Sequence, residues 1–203
     1  MKALEINGLE LDLMEGVYPP AEDTFLMIDA LVAMDVCGRV LELCCGSGAI
    51  GLTIAERLDY LVAIDINPRA VQNTRHNFLK NRLGEKLDPL VGDLFKPLGG
   101  ALFDLIFINP PYLADVERIP KDPSWSGGLR GREVIDRFLG SAIRFLSRGG
   151  RAVLLQSDLN GIDESFRKAE AAGLTAKVVR SRNFRFESLI AIELEHASRP
   201  QKD

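Results

Sequence analysis

Short apolar runs alternate along the chain with segments whose apolar residues recur at helical spacing. Apolar runs of roughly four to eight residues are typical of strands, and helical spacing is typical of helices that cover a sheet. The predicted strands cover residues 39–43, 61–65, 86–91, 102–108, 151–155, 174–180 and 188–194. The predicted helices cover residues 22–34, 48–58, 69–80, 133–146 and 163–172. Strands that alternate with helices in this way indicate a parallel sheet with crossover helices.

Two features refine this sheet. Pro89 lies in the third predicted strand, and because proline cannot donate a hydrogen bond to a neighbour, that strand is expected at an edge. The loop at 181–185 is too short for a crossover, so the last two strands must be antiparallel. The predicted fold class is therefore α/β, with a Rossmann-like, mostly parallel seven-stranded sheet and a C-terminal antiparallel hairpin. We expect one domain over residues 1–203, with a lead-in at 1–17 and a flexible tail at 196–203.

The composition is that of a soluble globular domain. The chain has 203 residues, and 25 Lys and Arg against 29 Asp and Glu give a net charge of −4. No apolar run reaches the roughly 18 residues of a membrane span, and the acidic start is unlike a signal peptide, so we expect a cytoplasmic protein without membrane contact. Cys37, Cys44 and Cys45 form no C-x-x-C pair, which argues against a disulfide framework or a metal site. We expect all three to be buried.

A glycine-containing turn follows the first predicted strand. Gly46, Gly48 and Gly51 match the G-x-G-x-x-G spacing that lets a backbone approach a nucleotide. Asp65 ends the next strand, where a carboxylate can bind ribose hydroxyls. This layout indicates a ligand that carries adenosine, and by itself it is also compatible with a nicotinamide-dependent dehydrogenase.

Acidic residues at the strand ends favour a different cofactor. Glu42 lies at the end of the first strand, where its carboxylate would repel a pyrophosphate but attract a sulfonium and an ammonium group. Asp65 and Asp93 add to this negative field. A dehydrogenase would also need a substrate domain, for which the chain has no room, and a C-terminal antiparallel hairpin is unusual in its cofactor domain. We therefore predict S-adenosylmethionine as the cofactor.

The tetrad Asn109-Pro110-Pro111-Tyr112 follows the fourth strand and carries the most specific chemistry. The two prolines stiffen the backbone, so that the Asn109 side-chain oxygen and the Pro110 carbonyl face one small volume. Two acceptors arranged in this way can bind both hydrogens of a planar NH2 group and shift electron density onto its nitrogen. Tyr112 offers a flat face on which the planar group can stack. The predicted reaction is methyl transfer to an amide or amino nitrogen.

Three segments together resemble a known family: VYPPAEDTF at 17–25, NPPY at 109–112 and WSGGLRGREVIDRF at 125–138. They are similar to those of the HemK-like protein glutamine methyltransferases, in the short archaeal and eukaryotic branch, which have the class I methyltransferase fold. NPPY is shared with enzymes that methylate DNA and RNA, whereas the first and third segments are specific to the branch. The resemblance implies that the substrate is the glutamine of the Gly-Gly-Gln loop in a class I translation release factor.

The resemblance also implies a set of site residues. Asn109 and the three residues after it would hold the target amide. Together with the glycine motif, the resemblance implies cofactor contacts from Thr24, Glu42, Cys44, Gly46, Gly48, Asp65, Asp93, Leu94 and Asn109. Asp65 would bind the ribose, and Asp93 with Leu94 the adenine. The family usually has glycine where this chain has Cys44, so a left-handed backbone there would be strained.

Members of this branch commonly work with a small zinc-binding activator that pairs along an edge strand. The resemblance therefore implies such a partner at the strand that contains Pro89. A lone edge strand that proline protects from pairing is the alternative.

Two other functions remain as alternatives. Basic residues accumulate between positions 118 and 151, which would suit methylation of adenine or another exocyclic amino group in RNA or DNA, although Arg132 and Arg137 could instead pair with Glu133 and Asp136. A non-enzymatic scaffold is disfavoured by the intact tetrad and the cofactor carboxylates. Trp125 is expected to anchor the loop that follows the tetrad rather than to cover the substrate.

Overall fold

The computed structural model describes residues 2–115 and 125–197. Its strands are β1 Lys2–Ile6, β2 Leu9–Leu13, β3 Arg39–Leu43, β4 Tyr60–Asp65, β5 Leu87–Val91, β6 Phe103–Ile108, β7 Leu146–Ser157, β8 Leu174–Asn183 and β9 Ser188–His196. Its α-helices are α1 Glu22–Val32, α2 Ala49–Ile54, α3 Pro68–Lys80, α4 Glu133–Leu139 and α5 Ile162–Ala171.

Strands β3 to β9 form one sheet in the order β5-β4-β3-β6-β7-β9-β8. The first five strands of that order are parallel, and β9 runs antiparallel to both β7 and β8. The predicted Rossmann-like sheet with its C-terminal antiparallel hairpin is confirmed. β5, which contains Pro89, lies at an edge of the sheet as predicted.

Alternate residues of the central strands pack on opposite faces of the sheet. On β3, Val40 belongs to the core that α1 and α2 cover, whereas Leu41 belongs to the core that α4 and α5 cover. On β6, Phe107 and Ile108 divide between the same two cores, and both are completely buried. Because helices cover both faces, β6 is almost continuously apolar.

The helix predicted to reach residue 146 is shorter. α4 ends at Leu139 because Gly140 follows, and a short 3-10 turn leads from there into β7. The diglycine that was expected to end this helix therefore lies inside β7. A side chain at Gly150 would lie 2.8 Å from the Phe103 carbonyl oxygen, so glycine permits the close approach of the two backbones.

A two-stranded antiparallel hairpin of β1 and β2 precedes α1 and is separate from the main sheet. Residues 1–17 were predicted only as a lead-in, although Asn7-Gly8 between alternating apolar residues is a hairpin signal. Both turn residues have positive φ, 52° and 79°. The hairpin buries Leu11 in the core that α1 and α2 cover, and side chains of α3 bind the backbone of β2.

The C-terminal end differs slightly from the prediction. β9 continues to His196, where the flexible tail was expected to begin, and residues 198–203 of that tail lie outside the described part of the chain. Within residues 2–115 and 125–197, none of the helices combines the length and the apolar character needed to cross a membrane.

Candidate active site

A cavity of about 550 Å³ opens at the carboxyl ends of β3, β4 and β6. The strand order reverses direction between β3 and β6, and ligands of open α/β sheets bind at such a point. Ten of the predicted site residues line the cavity: Thr24, Cys44, Gly46, Asp65, Asp93, Leu94, Asn109, Pro110, Pro111 and Tyr112. The fold therefore brings the glycine turn and the proline tetrad to one volume.

The backbone at Cys44 is left-handed, with a φ of 58°. The position at which the resemblance implies glycine therefore does require the conformation that glycine adopts most easily. A non-glycine residue in this region costs about 1–2 kcal/mol, which the surrounding contacts must offset. Cys45 is buried as expected and Cys44 is half-buried, but Cys37 is exposed, so the prediction that all three are buried is wrong.

Gly48 and Gly51 do not line the cavity and serve packing instead. A Cβ atom on Gly48 would lie 2.7 Å from the Thr74 methyl carbon, so the glycine lets α3 approach the loop. A Cβ atom on Gly51 would collide with the Glu42 carboxyl group. Gly48 therefore packs against α3 in this structure, and its predicted contact with the cofactor stays a prediction.

Glu42 is also absent from the cavity lining, and its predicted contact with the cofactor stays a prediction. Its side chain is 1% exposed and lies against Gly51, whose backbone N–H donates to Oε1 at 3.4 Å. The other oxygen, Oε2, is buried without a hydrogen-bond partner among the described residues. Burial raises the pKa of Glu42 to about 8, and the Asp65 carboxylate contributes to the rise.

The carboxylate of Asp65 fixes the glycine loop from the end of β4. Its two oxygens accept hydrogen bonds from the backbone N–H groups of Gly46, at 2.9 Å, and Asn67, at 2.8 Å. Burial raises the pKa of Asp65, while these two bonds oppose the rise. Each oxygen keeps a second lone pair, so the carboxylate can still accept from a ligand in the cavity.

Asp93, just after the neighbouring strand β5, also lines the cavity and is paired with two cations. Lys96 contacts its carboxylate at 2.8 Å and Arg137 at 2.7 Å. Both salt bridges hold the pKa of Asp93 below its usual range, Lys96 having the larger effect. Its neighbour Leu94 is buried with a φ of 51°, so the cavity wall here has a second left-handed non-glycine residue.

Asn109 extends from the end of β6 and is held by an acid that the sequence analysis did not select. Its Nδ2 donates to Asp23 Oδ2 at 3.0 Å. A carboxylate can only accept, so this contact fixes which end of the Asn109 amide faces Asp23. The opposite end, Oδ1, is buried and has no hydrogen-bond partner among the described residues. The site therefore contains a pre-oriented acceptor oxygen.

Asp23 lies at the start of α1 and is 4% exposed. Its Oδ1 accepts from the backbone N–H of Thr24 at 2.7 Å, which leaves Oδ2 for Asn109. Burial raises the pKa of Tyr18 to about 12 and also raises the pKa of Tyr112. For both side chains the Asp23 carboxylate is the next cause. In the sequence Asp23 was indistinguishable from an acid that stabilises a helix start, since nothing local shows that it points inward.

The tetrad and the residue after it are held through their backbone by Asn160 and by the third motif segment, residues 125–138. Asn160 Nδ2 donates to the Tyr112 carbonyl at 2.7 Å, and Leu113 N–H donates to the Trp125 carbonyl at 3.0 Å. A side chain on Gly131 would collide with the same Tyr112 carbonyl. The Trp125 carbonyl thus helps to hold its loop, and Trp125 also lines the cavity, so its anchoring role stays a prediction.

Comparison with known proteins agrees with this geometry. The profile of the methyltransferase small domain family matches residues 22–184. A Methanocaldococcus jannaschii protein, named as a candidate protein N5-glutamine methyltransferase, is 35% identical over 195 residues, 93% of this chain and 96% of that protein. Human methyltransferase HEMK2 is 32% identical over 194 residues, 87% of this chain and 88% of its own length. The chain belongs to the HemK-like methyltransferases.

A solved structure supports the same grouping. The Mtq2-Trm112 complex of E. cuniculi, described as responsible for methylating the translation termination factor eRF1, superposes with a TM-score of 0.72 at 28% identity. The match covers 90% of this chain and 99% of that chain. The predicted membership of the archaeal and eukaryotic branch is confirmed.

The basic segment of this HemK-like methyltransferase is largely paired with acids. Its ion pairs are Arg130 with Glu164, Arg132 with Asp136, Arg137 with Asp93, and Arg151 with Glu193. Arg132 pairs within its own helix as the alternative supposed, whereas Arg137 reaches across the cavity wall to Asp93. Arg118 and Lys121 lie outside the described residues. These pairs reduce the positive charge available to a nucleic acid.

Replacing Glu42 by Gln tests the buried carboxyl group of this methyltransferase. The folded protein holds the Glu42 proton up to a pKa of about 8, whereas the unfolded chain releases it near 4.5. The folded state therefore binds more protons between these values, and the contribution of Glu42 to the free energy of unfolding should fall by about 1.4 kcal/mol per pH unit as pH rises through that window.

Urea unfolding of the wild type and of Glu42→Gln at pH 5, 6, 7 and 8 measures this difference. The gap between the two proteins should change steadily with pH, because Gln keeps the shape of the protonated carboxyl group but does not titrate. Glu56→Gln, at an exposed position, is the control and should run parallel to the wild type. Parallel curves for Glu42→Gln as well would contradict the raised pKa.

Proposed function

We propose that this methyltransferase transfers a methyl group from S-adenosylmethionine to the side-chain amide nitrogen of the glutamine in the Gly-Gly-Gln loop of a class I translation release factor. The observation that carries the proposal is the buried, unpartnered Asn109 Oδ1, held in place by Asp23. The eRF1-methylating relative, at 28% identity, supports the choice of substrate. Such a role would place the protein in the cytoplasm, where translation terminates.

A carboxamide is the substrate group that the tetrad suits. Its NH2 group has two donors and no acceptor, so it complements the Asn109 Oδ1 and Pro110 carbonyl oxygens. When both hydrogens are bound, electron density shifts toward the nitrogen, which otherwise shares its lone pair with the carbonyl group. Tyr112, which lines the cavity beside them, can stack against the planar group. These contacts orient the amide without requiring a general base at the start.

The cofactor, when bound, supplies an activated methyl group on a sulfonium. The lining residues suit its parts: the free lone pairs of Asp65 can accept from ribose hydroxyls, and the backbone of Cys44 and Gly46 forms the adjacent wall. Leu94 and Ile66 provide apolar surface for the adenine beside Asp93. Thr24 lies on the α1 side, next to the acceptor end of the site. Glu42 acts below this surface, by supporting the turn at Gly51.

Transfer of a radioactive methyl group tests the proposed reaction. Wild-type enzyme with tritiated S-adenosylmethionine should label a purified eRF1-type release factor but not its variant with Gln→Ala in the Gly-Gly-Gln loop. Asn109→Ala should lower the rate by at least about 100-fold, because it removes the acceptor that polarises the target amide. Binding of S-adenosylhomocysteine, measured by calorimetry, should change only a few fold.

Two controls accompany this measurement. Gln72→Ala, which removes an exposed amide on α3, should leave the rate unchanged. Adenine-containing RNA and DNA, incubated under the same conditions, should remain unlabelled. Label on nucleic acid alone would replace the proposal with the amino-methyltransferase alternative.

We also propose that a small zinc-binding partner pairs with the edge strand β5. The solved relative is a two-protein complex, and within residues 2–115 and 125–197 no strand pairs with the outer side of β5. Val91 on this strand is 54% exposed and Leu79 of the neighbouring helix is 58% exposed. A cleft beside this edge is lined by Arg75, Leu79, Gly84, Leu87 and Pro89. Exposed strand edges of this kind accept an added strand from another protein.

Paired lysine substitutions on the two edges of the sheet test the partner site. Val91→Lys should abolish co-elution with the co-expressed zinc-binding partner in size-exclusion chromatography, since it places a charge in an apolar contact. Val178 lies on β8, at the opposite edge of the sheet, and is 48% exposed. Val178→Lys should therefore leave co-elution intact. Loss of the complex in Val178→Lys but not in Val91→Lys would contradict the assignment.

A further inference from the structure

Helix α3 and the residue after it present a row of polar side chains to the backbone of β2 and Met14; Asn73 and Asn77 are completely buried, and Asn81 is half-buried. Asn73 accepts from Met14 N–H at 2.8 Å, Asn77 accepts from Asp12 N–H at 2.9 Å, and Asn81 accepts from Glu10 N–H at 3.1 Å. Their amide nitrogens donate to carbonyl oxygens of the same strand. The spacing of four residues places all three on one face of the helix.

The same face of α3 also holds the glycine loop. Thr74 Oγ1 donates to the Gly46 carbonyl at 3.1 Å, and Asn77 Nδ2 donates to the Ser47 carbonyl at 2.9 Å. Both side chains are completely buried. Because Asp65 binds the N–H of Gly46 from the other side, the orientation of the loop peptides is fixed by α3 and β4 together.

We infer that Thr74 and Asn77 are positioning residues for the cofactor: by binding two successive loop carbonyls, they set the wall formed by Gly46 and Ser47. This inference rests on the proposed function, since it takes the cavity as the S-adenosylmethionine site. Neither residue lines the cavity, so they act through the loop and not by direct contact. Without these donors, the loop carbonyls must turn toward water or the cavity to be satisfied.

The Thr74 side chain packs through its methyl group and forms hydrogen bonds through its hydroxyl group. Its methyl carbon comes nearest to the position a Cβ atom would take on Gly48, while its hydroxyl binds the Gly46 carbonyl and contacts the Cys45 sulfur. Thr74→Val keeps the shape and removes the hydroxyl. Thr74→Ser keeps the hydroxyl and removes the methyl group. The two variants therefore distinguish a positioning role from a purely structural one.

Calorimetric titration with S-adenosylhomocysteine is the decisive experiment, with urea unfolding measured on the same samples. Thr74→Val should bind about 10-fold more weakly than the wild type, because a loop carbonyl loses its donor. Thr74→Ser should bind within about twofold of the wild type, whatever its stability. Equal affinity of Thr74→Val and the wild type, or a Thr74→Ser variant weakened as much as Thr74→Val, would overturn the inference.

Asn73 provides a matched control for Asn77. Both side chains are completely buried and both bind Asp12, but only Asn77 reaches Ser47. Asn77→Ala should weaken S-adenosylhomocysteine binding about 10-fold. Asn73→Ala should keep the affinity within about twofold of the wild type, although both variants lose stability. Equal losses of affinity in the two variants would overturn the assignment to the loop.

The ligand in these titrations needs no methyl acceptor. A wild-type protein that binds it normally but fails to methylate the release factor would overturn the proposed substrate and leave this inference standing. A wild-type protein that does not bind it would overturn the cofactor assignment, and the inference with it.

Discussion

The buried hydrogen bond from Asn109 Nδ2 to Asp23 Oδ2 decides which end of the Asn109 amide faces the cavity. Without it, the amide could turn by half a rotation and present a donor where the substrate NH2 group also has donors. Asp23 can fill this role because Thr24 N–H occupies its other oxygen and because its own side chain is buried. In the proposed reaction, the acceptor at Asn109 Oδ1 is thus set before any substrate arrives, as catalysis by fixed dipoles requires.

The cavity is assembled from segments that are far apart in the sequence. Asp65 holds the glycine loop from the neighbouring strand, and Asn160 holds the Tyr112 carbonyl from the turn after β7. Each of these bonds joins two segments at the carboxyl edge of the sheet, where parallel strands end together. The strand order places the loop and the tetrad side by side, and the polar side chains then fix their backbones. The strand order therefore sets the general fold, whereas a few polar contacts set the geometry on which the chemistry depends.

Much of this site follows from local patterns, because a proline tetrad and a glycine turn have a defined geometry wherever they occur. The inward direction of Asp23 could not be predicted, since it depends on a partner 86 positions away. Glu42 was placed in the cavity because it ends a strand, but its side chain turns beneath Gly51. The N-terminal hairpin had a local signal at Asn7-Gly8, whereas its attachment to α3 through asparagines is visible only in three dimensions.

The most direct test of the account is the turnover of Asp23→Asn with release factor as the methyl acceptor. If the introduced asparagine keeps its oxygen on Thr24 N–H, its NH2 group meets Asn109 and reverses that amide, so kcat should fall about 100-fold. The dissociation constant for S-adenosylhomocysteine should stay within about threefold of the wild-type value, because the cofactor does not depend on that orientation. An unchanged kcat, or a loss of cofactor affinity equal to the loss of turnover, would contradict the central role of this hydrogen bond.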